Sequence, residues 1–466
     1  MADADLIIEN GTIVTEGGTF DAALIVANGQ IVAYDGDASG WNAPERIDAS
    51  GLLVMPGGID VHTHFEEPDP ELLEGFTSGG RSAAAGGLTS VVEMPQARPT
   101  TTTPAQFAEK VGLVTENAVV DMALWAGAIG PPLQSADDLA AMVDLGAAAF
   151  KSFMASSSPL FPAVDTAQML WVMEEAAKLG IPYGLHAEDQ SLLQAGLART
   201  QGAGRRDPLA HAESRPPLVE TVAVSNVLLL AAETGCHAHI CHLASAGALD
   251  LVRAAKSRGL NVTAETCPQY LMLNTGDLER LAGYARCAPA IRDQSEVDQL
   301  WEGVLDGTID LIASDHCPYT IESKEAGFEN IFNAPLGLSG IQTLYPAMYS
   351  EAVVRRGVKP ERFVQLLSTN PARIFGLYPR KGSLTIGADA DITLLDPAAT
   401  WTVTVEDALH KHKWTPFAGK QITGRVTRTI RRGETLFDDS LEGEARVLAR
   451  AGSGVYLPRG YGELPA

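Results

Sequence analysis

The chain has 466 residues, 45% hydrophobic and 20% charged, an ordinary globular balance with length enough for a large core. Its 34 basic against 58 acidic side chains give a net charge of −24 at pH 7, which repels nucleic acid and anionic membrane and argues against polyanion binding. The five cysteines (Cys236, Cys241, Cys267, Cys287 and Cys317) are odd in number and not tightly spaced, which favours reduced thiols in a cytoplasmic protein over a disulfide framework.

The start, "MADADLIIENGTIV", carries two Asp and no basic region, so it does not read as a secretory signal, and no apolar run reaches membrane-spanning length. Residues 5–55 alternate as short strands, with Asn10-Gly11, Asn28-Gly29 and Asp35-Gly36 suited to tight turns between them. The same texture returns in "DADITLLDP", "TWTVTVEDAL" and "TGRVTRTIRRGETLF". Between these stretches lie the apolar runs "GGIDVHTH", "LTSVVEMP", "VDMALWAGA", "AAAFKSFMA", "IPYGLHAE", "CHAHICHLA", "NVTAETCP" and "IDLIASDHC". Helix-length amphipathic segments such as "AQMLWVMEEAAKLG" and "AGALDLVRAAKSRG" separate them. Eight such units describe an α/β protein built on a (β/α)₈ barrel. The expected division is 1–55 for the first part of a small β-sandwich, 56–375 for the barrel, 376–440 for the second part of the sandwich and 441–466 for a terminal arm. Neither flanking piece is large enough to bury a sheet face alone, so the two should pair.

In such a barrel the C-terminal ends of the strands converge on the active site. "GIDVHTHFEEP" places Asp60, His62 and His64 at every second position, on one face of a strand. The fourth run ends near Lys151, the fifth at His186, the sixth at His242 and the eighth at Asp315. His and Asp are good ligands for a borderline divalent ion such as zinc, and two imidazoles on one strand face call for a common partner. His237 and His239 lie earlier on the sixth run and read as packing or helix-layer contacts. His211 reads as exposed, and His410 and His412 as a surface or subunit contact. Lys151 is the odd member, because an apolar strand penalises its ammonium. Either its head snorkels to the strand end, or the neutral amine takes up carbon dioxide to give an anionic carbamate able to bridge two metals.

Together "GGIDVHTH", "FKSFMA", "HAE", "HICHLAS", "ETCPQYL" and "SDHCP" resemble the motif series of the cyclic amidohydrolases: dihydropyrimidinases, hydantoinases, allantoinases and dihydroorotases. The resemblance extends over nearly the whole chain, through "GSLTIGADADITLLD". It implies two divalent metals bridged by carboxylated Lys151, one held by His62, His64 and Asp315, the other by His186 and His242. Zinc is the expected metal, with manganese and cobalt as alternatives, and Asp315 is the expected proton carrier. Glu66 stands where dihydroorotases carry an Arg, so an anionic substrate is disfavoured. Ser156 replaces the Tyr of dihydropyrimidinases and D-hydantoinases, and Ala288 a loop Ser; ring contacts there and near Leu336 and Gly337 would be to main-chain groups. "EGFTSGGRSAAAGGLTSVVEMP", "CAPAIRD", "GLSGIQTLYP" and "HKHKWTPFAG" resemble allantoinases and L-hydantoinase-like enzymes. The expected reaction is hydrolysis of allantoin to allantoate, with 5-substituted hydantoins or dihydropyrimidines as the alternative. A more distant one is a non-catalytic assembly protein of the same fold. The resemblance also implies a homotetramer acting on a small cyclic amide, without nucleic acid or membrane partners.

Overall fold

The computed structural model describes residues 2–68, 74–156 and 161–464. The eight apolar runs form one sheet of parallel strands in chain order. They are β1 (Gly58–Thr63), β2 (Leu88–Glu93), β3 (Asp121–Gly127), β4 (Ala149–Phe153), β5 (Tyr183–His186), β6 (Ala238–Ile240), β7 (Val262–Thr266) and β8 (Leu311–Ile312). The sheet closes where Thr63 bridges His316 and the His64 N–H donates to the His316 carbonyl at 2.8 Å. Asp60 reinforces this seam, because its carboxylate accepts from the Ser314 N–H at 3.0 Å, the Ser314 hydroxyl and the His62 N–H at 3.2 Å. The first of the three alternating polar residues thus closes the barrel, and the other two are left to face the mouth.

Local signals set the helix ends. Helix α1 (Thr166–Leu179) starts on a capping box between Asp165 and Gln168 and stops at Gly180 in the left-handed conformation. It buries Met169, Val172, Met173 and Ala176, one stripe at helical spacing. The stretch Pro208–Thr234 is long and apolar enough to cross a membrane by length and composition, which corrects the expectation that no run reaches that length. It is divided by the Arg215-Pro216 break. Its second part, α2 (Pro217–Thr234), packs beside α1 and α3 (Ala246–Ser257), burying Val219, Val224, Val227 and Leu228 against the barrel.

The flanking segments pair as two sheets. One holds Gln30–Asp35, Ala23–Ala27, Leu6–Glu9 and Glu45–Asp48. The other joins the C-terminal strands Glu434–Asp438, Gln421–Arg431 and Ile392–Thr402 to the N-terminal strands Leu53–Pro56, Thr12–Thr15 and Gly18–Asp21. Leu6, Ile8, Leu24, Val26, Val54, Ile392, Leu394 and Ile430 share the core between them. Asn28 and Gly29, at φ 52° and 75°, make the tight hairpin turn expected of the pair. Asn10-Gly11 instead turns the chain from one sheet to the other, and a Cβ on Gly11 would lie 2.6 Å from Val54 Cγ2. The terminal arm packs on its own barrel: the Met122 N–H donates to Val455 at 2.9 Å and the Leu457 N–H to Met122 at 2.8 Å.

Candidate metal centre and active site

The strand ends bring His62, His64, Lys151, His186, His242 and Asp315 together. Asp315 Oδ1 lies 3.3 Å from His62 Nε2 and 3.4 Å from His64 Nε2. His186 Nδ1 lies 3.0 Å from His242 Nε2, and the His62 and His242 ring centres are 5.2 Å apart. Lys151 is fully buried and, among the described residues, its Nζ has no hydrogen-bond partner. Its charge bears on His62, His186, His242 and Asp315 alike, so it sits among them. An unpartnered buried ammonium costs several kcal/mol. The snorkelling reading is excluded, because the head does not reach solvent.

Electrostatics separate the imidazoles. Burial holds His62 and His186 below the ordinary histidine value and His242 well below it, so all three are neutral and offer a lone pair. His64 is raised to about 9, because its interactions with Asp315 and Glu66 outweigh its burial. Asp315 is kept below the usual carboxylate range: His62 and His64 outweigh the desolvation that opposes them. Both Asp315 and His242 have positive φ, 50° and 38°, a conformation costing about 1–3 kcal/mol at a non-glycine residue. Three neutral imidazoles, a fourth at His64 that would give up its proton on binding a cation, a carboxylate and an orphaned amine fit a pair of divalent cations.

Several carboxylates that sequence reasoning assigned no role hold these groups. Glu265 accepts from His62 Nδ1, from the His242 N–H at 3.1 Å and from His239 Nε2 at 3.1 Å. With Nδ1 engaged, His62 presents Nε2 to the cluster. Glu188 engages His186 Nε2 at 2.9 Å, turning Nδ1 towards the His242 ring, and is itself paired with Arg215. Glu93 accepts from Thr63 Oγ1 at 2.8 Å and the Glu66 N–H at 2.9 Å, fixing the segment after β1. Glu74 engages His316 Nε2 at 2.9 Å. The available signal was position: Glu265, in "ETCP", and Glu188, in "HAE", both lie at or just past strand ends.

Three histidines differ from expectation. His211 is buried rather than exposed, its Nε2 2.8 Å from the Cys287 carbonyl, because helix Pro208–Ser214 turns it inward. His410 is buried rather than on the surface, 2.8 Å from Ser339 Oγ and 2.7 Å from the Trp414 carbonyl. His239 is inside the barrel, where it supports Glu265 and so does more than pack. His237 is a packing contact, 2.9 Å from Thr263 Oγ1.

The expected substrate contacts are less tightly drawn together. Glu66 Oε1 lies 3.6 Å from His64 Nδ1, at the edge of the cluster. Gly337 abuts the segment carrying Asp315: a Cβ there would lie 2.4 Å from the Cys317 carbonyl, so only glycine fits. Ala288 and Leu336 are half-buried, and the two loops are joined by the Gly337 N–H donating to the Arg286 carbonyl at 3.0 Å. Ser156 is exposed, its N–H donating to Gln190 at 2.8 Å, and no bond joins it to the cluster among the described residues.

Residues 53–436 match the amidohydrolase family. An allantoinase of Rubrobacter xylanophilus is 43% identical over 440 residues, which span 94% of this chain and 95% of that protein. The L-hydantoinase of Paenarthrobacter aurescens is 35% identical over 98% of each chain. The solved L-hydantoinase (dihydropyrimidinase) from Arthrobacter aurescens matches the structure with a TM-score of 0.94 at 34% identity, covering 98% of this chain and 100% of that one. From the strand that precedes the barrel to the last strand of the sandwich, the match is continuous, and the chain belongs to the amidohydrolase family.

Proposed function

We propose that the protein is an allantoinase, which adds water across a ring amide of allantoin and releases allantoate. The observation behind this reading is the convergence of four imidazoles and Asp315 around the orphaned Lys151 Nζ. His62, His64 and Asp315 would hold one divalent ion, His186 and His242 a second, and Lys151, carboxylated, would bridge them. Such ions, zinc by preference, supply Lewis acidity: they ease deprotonation of water and polarise a carbonyl. The 43% identity to an allantoinase supports the choice of ring. The likeness to an L-hydantoinase at a TM-score of 0.94 favours 5-substituted hydantoins as the second reading.

The chain's own residues would do the rest. Asp315, ionised and in reach of both imidazoles, takes the proton of the attacking water and returns it to the departing ring nitrogen. The C–N bond breaks, the ring opens and a carboxylate forms. Glu66 favours the N–H donors of a ureide ring, and its own N–H is pinned by Glu93. Main-chain groups near Ala288, Leu336 and Gly337 orient the ring. We extend the proposal to a homotetramer, which light scattering would check, and to a reducing compartment, which the five free buried cysteines support.

The test is hydrolysis of allantoin, hydantoin, 5-substituted hydantoins and dihydrouracil side by side, with metal quantified in the same sample. Allantoin should be turned over fastest by protein carrying two metals per chain. Failure on all four rings defeats the substrate assignment, and protein that purifies without metal, never having met chelator, defeats the metal assignment.

A further inference from the structure

Lys324 is a fully buried lysine near the barrel mouth that no step above uses. It lies on α4 (Ile321–Glu329), whose Thr320 side chain caps the start by accepting from the Ser323 N–H at 3.2 Å. Its Nζ donates to the carbonyls of Gly337 at 2.7 Å, Pro335 at 2.9 Å and Arg286 at 3.2 Å. Its remaining face meets the Trp414 ring, 5.6 Å from the centroid. Burial lowers the amine to about 7, so the ammonium that can donate to all three carbonyls at once is held most fully on the acid side of neutrality. The three carbonyls belong to the two loops that carry Ala288, Leu336 and Gly337, and the Arg286 carbonyl is shared with the Gly337 N–H.

A trans peptide directs its C=O and N–H in opposite senses. An ammonium on the Pro335 carbonyl therefore polarises the Leu336 N–H of the same peptide and turns it away from the lysine. The loop on which this acts runs beside the segment bearing Asp315: Leu338 bridges His316, and the Cys317 N–H donates to the Leu338 carbonyl at 2.8 Å. We propose that Lys324 is a positioning residue for substrate recognition, fixing from behind a main-chain template, at Arg286–Ala288 and Pro335–Leu338, against which the ring amide is read. This rests on the reading of those loops as ring contacts. It gives this chain a specificity device: hydrogen-bond recognition by main-chain groups whose register one ammonium sets.

Lys324→Met removes the charge at similar length, and Lys324→Gln keeps a donor. In case neither folds, Gly327→Ala supplies a third perturbation: its Cβ would lie 2.6 Å from Gly283 Cα, 2.8 Å from Gly283 N and 3.0 Å from Ala334 Cβ, pushing α4 off the segments that lead into both loops while the Lys324 side chain is kept. Each metal-replete full-length variant is assayed on whichever of the four rings the wild type hydrolyses. Metal content is measured alongside, and hydrogen exchange of residues 286–288 and 335–338 is followed without substrate. The expected result is KM raised at least about tenfold, kcat lowered less than about threefold, metal content unchanged and exchange in both loops faster. Unchanged KM, unchanged exchange, or a fall in kcat accompanied by metal loss would each overturn the proposal. A wild type inactive on all four rings would refute the substrate reading instead, and the exchange measurement would still decide whether Lys324 holds the loops.

Discussion

Lys151 occupies a position at which an ordinary lysine is unfavourable: fully buried, unbonded, with its ring neighbour Phe153 5.0 Å away offering only a weak cation–π contact. The proposed conversion to a bridging carbamate would remove the penalty and supply the missing anion. Lys151→Ala should lower activity by more than about 100-fold, since even changes one shell further out cost about 10–100-fold in affinity or rate. Short carboxylic acids added to the assay should restore part of it; full activity without them would refute the bridge. Glu265 belongs to that next shell. It supports His62 from one proposed metal and the main chain of His242 from the other, so a single group serves both halves. Glu265→Gln should weaken retention of both ions together by about 10–100-fold against a graded series of chelators. Retention equal to wild type, or loss of one ion alone, would count against a shared support.

At the scale of elements, all eight expected runs are barrel strands, because a parallel sheet buried on both faces reads as near-continuous apolar sequence and leaves a clear trace. The ligand candidates were legible for the same reason: His62, His64, His186, His242 and Asp315 interrupt or end apolar runs. The supports were not, because a glutamate at a strand end, such as Glu265, has no periodicity that separates it from a solvated one. His211 and His410 were misread on local polarity, which cannot show that a neighbouring segment folds over them. Where the terminal arm docks lay beyond the sequence for a related reason: its place is set by distant partners. Leu457 is fully buried on the barrel base beside Ala123, Trp125 and Phe375. Removing residues 455–464 should cost about 1.5–3 kcal/mol from Leu457 alone. Faster thermal inactivation with undiminished metal content would bear this out; unchanged inactivation would mean the arm adds nothing to the base.

Across the whole molecule, the barrel and the sandwich are joined by a buried ionic cluster. Lys381 Nζ lies 2.7 Å from Asp121 at the start of β3, 2.8 Å from Asp391 and 2.9 Å from Asp389 before the long sandwich strand. Arg432 and Arg431 add to the charge at Asp121. Burial alone would raise the Asp121 carboxyl, but Lys381, Arg432 and Arg431 outweigh it and hold it below the ordinary range. A carboxyl lowered on folding contributes stability above its unfolded value of 3.8, and that contribution is lost as the pH falls through the folded value. Lys381→Met leaves the buried carboxylates short of a cation, a change that costs about 3–5 kcal/mol when a buried pair is broken. Desolvation then dominates, Asp391, already pushed up by burial and its acidic neighbours, rises further, and the folded protein binds protons that the unfolded chain does not. The variant should therefore gain stability as the pH is lowered from neutrality towards about 5, the sign opposite to the Asp121 contribution in the wild type. Parallel unfolding midpoints for the two proteins at every pH in that window would show that the cluster is not what ties the two parts together.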